Sequence, residues 1–202
     1  GKVPEEIQKI WDASPVKRPP AEWALRWVWD HPEVTVVLSG MNDEGHIDEN
    51  LKAAEDAYPQ SLSDEELSRI ARVRDEYGRL MKVGCTGCSY CMPCPAGVDI
   101  PGCFSLYNAH HLFPHDNSAK FQYFGRHGGL MGGFSYAGLC RACGKCEKAC
   151  PQHLQIRDRL RDVSKEMEGG MRIIIPVLKG GLWCMDKIGR LARAFSPPKN
   201  TE

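Results

Sequence analysis

The chain has 202 residues, enough for one ordinary domain or two small ones, and at 42% hydrophobic residues it has the material for a core. Lys plus Arg and Asp plus Glu both number 26, so no global positive field exists to hold nucleic acid. The first eight residues carry no basic segment ahead of an apolar run, and no stretch reaches the ~18 apolar residues of a membrane span. The expectation is a cytoplasmic protein without a transmembrane segment.

In chain order, Pro19-Pro20 followed by Ala21, Trp23, Ala24, Leu25, Trp27 and Val28 predicts a proline-started helix to about Asp30, stopped by Pro32. Val34, Thr35, Val36, Val37 and Leu38 form a β-branched run apolar on both faces, which predicts a buried parallel strand. Asp43 is placed to cap a further helix, with Ile47, Leu51 and Ala54 at helical spacing and an end before Pro59. A lone strand of this kind needs neighbours for its backbone groups and cover on both faces. Residues 1–60 hold no second such strand, so they are expected to be the tail end of a larger α/β domain whose earlier strands are not in this chain.

Ser63 and Glu66 form a capping box, and Leu67, Ile70, Val73, Tyr77 and Leu80 continue at helical spacing, which predicts a linker helix within 61–82. Asp99 can cap a helix over roughly 100–113. A second is expected at 118–125, then a Gly-rich turn at 128–133. Ile156, Leu160, Val163 and Met167 mark an amphipathic helix ended by Gly169-Gly170, so 83–168 reads as a mostly helical domain. The remainder, 169–202, is an apolar and basic tail. Pro176 and Gly180-Gly181 interrupt it, which favours packing on protein over lying along a membrane surface.

Ten cysteines must be accounted for, and eight fall in two tight groups. Secreted scaffolds spread cysteines to close loops, whereas cysteines three apart without a secretion signal read as metal ligands. The second group, Cys140-x2-Cys143-x2-Cys146-x3-Cys150-Pro151, has the spacing of bacterial two-cluster ferredoxins at every position. In that motif the fourth cysteine is expected to begin the next helix and to ligate the partner cluster. The first group, Cys85-x2-Cys88-x2-Cys91-x2-Cys94-Pro95, is one residue shorter before its last cysteine. Whether Cys94 crosses or closes its own cluster is therefore open; the shared proline favours crossing. The sets are then Cys85, Cys88, Cys91 and Cys150 for one [4Fe–4S] cluster, and Cys94, Cys140, Cys143 and Cys146 for the other. Structural zinc is the competing reading, but zinc sites usually join two separated pairs. Cys103 and Cys184 read as small buried hydrophobes, and His153 as a surface or capping residue.

Residues 21–57 (AEWALRWVWDHPEVTVVLSGMNDEGHIDENLKAAEDA) resemble the last two helices and the eighth strand of an aldo/keto reductase barrel, and LSDEEL at 62–67 resembles the segment that follows it. With CTGCSYCMPCPAGVDIP at 85–101 and CRACGKCEKACPQHLQI at 140–156, the chain resembles the C-terminal part of an iron–sulfur-containing aldo/keto reductase family protein. The implied fold class is mixed and mainly α: the last strand and helices of a (β/α)8 barrel, followed by an α-helical ferredoxin-type domain.

The resemblance implies NAD(P)H bound at the C-terminal ends of the barrel strands in the full-length barrel. Carried over by position, Gly40 and Met41 would offer backbone contacts and Glu49 and Asn50 would reach the adenine. His46 stands where a basic residue often meets the ribose phosphate, and a mostly neutral histidine puts NADP preference in doubt. The family's catalytic residues lie on earlier strands, so this chain alone is not expected to reduce a carbonyl. The expected function is an electron-transfer module whose clusters feed or drain the barrel's active site. The expected partners are the missing N-terminal barrel and a redox donor or acceptor protein, and a homo-oligomer is compatible with both. The alternative is clusters with a structural or oxygen-sensing role and no part in turnover.

Overall fold

The computed structural model describes residues 2–129 and 132–169. Their regular structure is helical: α1 (Glu5–Asp12), α2 (Pro20–Trp29), α3 (Glu44–Glu55), α4 (Asp64–Leu80), α5 (Ile100–Leu112), α6 (Ser118–His127), a 3-10 turn (Ala137–Leu139), α7 (Lys145–Ala149) and α8 (Ile156–Met167). The chain divides into two compact units, the first ending at Leu80 and the second starting at Met81.

In the first unit α4 packs on α1 and α2, and α2 on α3. Ile7 and Trp11 of α1, Trp23 of α2, Leu62 just before α4 and Val73 of α4 make its core. The indoles of Trp11 and Trp23 stack with centroids 5.2 Å apart, and the Arg18 guanidinium lies 4.6 Å above Trp23 while pairing with Glu66. The predicted capping box forms reciprocally: Glu66 N donates to Ser63 Oγ at 3.3 Å, and Ser63 N donates to Glu66 Oε2 at 2.9 Å. Asp43 caps α3 as expected, accepting from Gly45 N at 2.9 Å. The helix read as a linker thus contributes Val73 to this core.

The run 34–38 is not a strand, and the described residues contain none. Val36 is 72% exposed and Leu38 94%. The sequence pattern is that of a buried strand, but a strand is made by its neighbours, and no described segment pairs with it.

In the second unit α5 packs on α6 and α8, and α7 on α8. The predicted face of α8, Ile156, Leu160, Val163 and Met167, is buried against Val98, Ile100, Phe104, Tyr107 and Tyr123. Asp99 caps α5, accepting from Gly102 N at 3.1 Å. Cys103 is fully buried, as read from the sequence. Cys150 does not begin α8; it follows the five-residue helix α7, and α8 starts at Ile156. The expected Gly-rich turn is described only at 128, 129, 132 and 133, and the tail from 170 onward, with Cys184, lies outside the described residues.

Candidate iron–sulfur centre

The two cysteine loops are one backbone built twice. Left-handed residues flank the second cysteine of each: Gly87 (φ 72°) and Ser89 (φ 64°) around Cys88, Ala142 (φ 53°) and Gly144 (φ 75°) around Cys143. Such paired turns fold a short segment back so that side chains three apart face one centre. After the fourth cysteine the same turn recurs, with Gly97 N donating to Cys94 O at 2.9 Å and His153 N to Cys150 O at 3.1 Å. Gly97 and the exposed His153 close those turns at φ 79° and 52°, and a helix starts three residues later, at Ile100 and at Ile156. The one-residue difference between the groups falls between the third and fourth cysteines, where Met92-Pro93 corresponds to Glu147-Lys148-Ala149.

The duplicated loops enclose two recesses. One, of about 210 Å³, is lined by Cys91, Cys94, Cys140, Cys143 and Cys146. The other, a tighter one of about 20 Å³, is lined by Cys85, Cys88, Cys91 and Cys150. Each recess therefore meets the first three cysteines of one loop and the fourth cysteine of the other, and Cys91 lies in the lining of both. Ile100 borders both, Leu160 the first, Phe104 and Ile156 the second. Cys88 and Cys143 are exposed; the other six cysteines of the two groups are half-buried. Among the described residues no three His, Cys, Asp or Glu side chains converge on a single-ion position.

Burial makes two of these thiols, Cys91 and Cys146, poorer anions. Burial pushes the Cys91 thiol up to about 11, and the nearby Cys85, Cys146 and Cys150 add to that shift. Burial also raises Cys146, against the opposing backbone N–H of Glu147. Half-buried sulfurs facing one another suit a bound cationic centre that stabilises their thiolates, which is the chemistry of an iron–sulfur donor set. Ala142 N donates to Cys140 Sγ at 3.4 Å, a backbone donor of the kind that tunes cluster sulfurs.

Polar residues that the sequence pattern did not single out hold the loops in place. Asn108 of α5 accepts from Lys82 N and Val83 N, both at 3.0 Å, and donates to Val83 O at 2.7 Å, which fixes the chain just before Cys85. The buried Glu168 accepts from Gly138 N at 2.8 Å and from the Tyr123 hydroxyl at 3.0 Å, and that hydroxyl accepts from Ala137 N at 2.9 Å. Together they fix the 3-10 turn that delivers Cys140.

Of the five positions matched to nucleotide contacts, two line one cleft. Glu49 and Asn50 line a cleft of about 240 Å³ with Arg26 and Lys52, and Asn50 Nδ2 donates to Ser39 Oγ at 3.1 Å. Gly40, Met41 and His46 are exposed and do not line it.

Residues 3–75 match the family model of the aldo/keto reductase family, and residues 84–156 match the 4Fe-4S dicluster domain. Comparisons with curated proteins and with solved structures found no match. The second match covers both cysteine loops and ends at the first residue of α8; the first covers α1 to α3 and most of α4. The chain thus joins an aldo/keto reductase family segment to a 4Fe–4S dicluster domain, and is an iron–sulfur module of an oxidoreductase.

Proposed function

We propose that this chain binds two [4Fe–4S] clusters and passes electrons to or from the active site of an aldo/keto reductase-like barrel. Cys85, Cys88, Cys91 and Cys150 hold one cluster, and Cys94, Cys140, Cys143 and Cys146 the other. The observation that carries the reading is the pair of recesses, each lined by the first three cysteines of one loop and the fourth cysteine of the other, with Cys91 shared between them. The clusters supply one-electron chemistry when bound. The chain's own part is to hold them close together, with Cys91 and Ile100 bordering both, and to limit water on their inner sides through Phe104, Ile156 and Leu160.

The barrel part of the proposal rests on the first unit. The exposed apolar run 34–38 is the eighth strand, paired in the working protein with strands from outside these residues. NAD(P)H then lies against Gly40, Met41, His46, Glu49 and Asn50. The catalytic groups are the barrel's, and electrons enter or leave through a donor or acceptor protein.

The test is anaerobic reconstitution followed by iron assay and visible spectroscopy. About eight irons per chain and a brown colour that bleaches reversibly on reduction are expected. Colourless protein with stoichiometric zinc would overturn the cluster reading, and clusters that break up on reduction would overturn electron transfer.

A further inference from the structure

The two cysteine loops share a backbone but not a charge. From Cys85 to Pro95 no residue is charged; from Cys140 to Pro151 there are Arg141, Lys145 and Lys148 against the lone carboxylate Glu147. In the register of the repeat, Arg141 stands at the position of Thr86 and Lys145 at that of Tyr90. Among the described residues, the recess of Cys94, Cys140, Cys143 and Cys146 is lined by Arg141, Lys145 and Arg157 and by no acidic residue, whereas the other recess has no charged residue in its lining. Glu147 is spent on Arg157, which it meets at 2.8 Å. The side chains of Arg141 and Lys145 are exposed and have no ion pair or hydrogen bond among the described residues.

Both loops expose their middle cysteine, so access does not distinguish the two recesses; charge does. From this asymmetry we infer that the recess of Cys94, Cys140, Cys143 and Cys146 is the electron port of the chain, and that its partner is a protein electron carrier with an acidic face. The inference rests on the two-cluster reading. Uncovered cations around a redox site draw an anionic face to it, raise the encounter rate, and orient the partner with its own centre towards the exposed edge at Cys143. The step is a single electron transfer: the reduced cluster loses one electron, the carrier's one-electron centre gains it, and no proton or bond moves. The uncharged recess is the inner relay.

The experiment uses the full chain with its clusters reduced, mixed rapidly with either of two protein oxidants of opposite charge. Plastocyanin is an acidic copper protein; cytochrome c is a basic haem protein. Plastocyanin is expected to react faster at low salt, and at about 1 M salt, where screening reaches about 3 Å, the preference should vanish. Replacing Arg141→Gln together with Lys145→Gln should slow plastocyanin by about 10-fold at low salt and leave cytochrome c equal or faster. Replacing Lys120→Gln with Lys165→Gln removes the same charge elsewhere on the unit and should leave both rates unchanged. Salt-independent rates in the unmodified chain, or equal slowing by the two pairs of substitutions, would overturn the port. The salt series needs no variant, so it decides the matter even if the loop substitutions impair cluster assembly. Failure to take up iron would instead strike the two-cluster reading itself.

Discussion

Cys94 is the residue on which the site turns. Its loop is one residue short of the spacing in the second group, so spacing alone left open which cluster it serves. It lines the recess of Cys140, Cys143 and Cys146, while Cys150 lines the recess of Cys85, Cys88 and Cys91. Crossed ligation makes a specific prediction for combined substitutions. Cys94→Ala should lower iron from about eight to about four per chain, and adding Cys140→Ala should remove no more, because both act on one cluster. If the double variant instead loses nearly all its iron, Cys94 serves the cluster of its own loop. The cysteines were legible because their spacing is itself the chemistry. Asn108 and Glu168 were not: a single amide within an apolar helix, or a carboxylate beside a helix-ending glycine, has no periodic signature. Their roles exist only once the partner backbone is in place.

Helices were legible where a start signal and a face coincide. Pro20, the Asp43 and Asp99 caps and the Ser63–Glu66 box each open an observed helix. α1 was missed although Pro4 precedes it, Glu5 and Glu6 fill its first turn, and Ile7, Ile10 and Trp11 lie at helical spacing. It supplies Ile7 and Trp11 to a core of five buried residues among those described, a core small enough for one side chain to decide. Trp23 is 1% exposed and stacked on Trp11, so Trp23→Ala should cost about 3–5 kcal/mol. The two cores share no residue. Thermal unfolding followed by circular dichroism should therefore show loss of the α1–α4 transition with iron content unchanged. A Trp23→Ala chain that also loses its iron would show that the second unit depends on the first.

At the scale of the whole molecule, the sequence misled at 34–38, and the cause is physical. Hydrophobic pattern records the environment a segment was selected for, and a strand buried on both faces carries that record whether or not its neighbours are present. In the chain itself, no residue of 35–38 donates a backbone hydrogen bond to another described residue, and Val36 and Leu38 face solvent. Leu38, Met41, Ile47 and Leu51 extend the exposed apolar surface beyond the run, more than a finished fold usually leaves uncovered in one region of sequence. Hydrogen exchange on the 202-residue chain separates the two states of this segment. Amides of 35–38 should exchange without measurable protection, while those of α5 and α8, bonded within helices and packed around the cysteine loops, should be slow. Protection that grows with protein concentration would report pairing of exposed edges between copies, as an unpaired strand invites. Protection on adding the separately produced barrel strands would support the proposed completion of the barrel. Strong, concentration-independent protection in a monomer would mean that the chain covers this segment by itself, and the reading of 1–60 as part of a barrel would have to be given up.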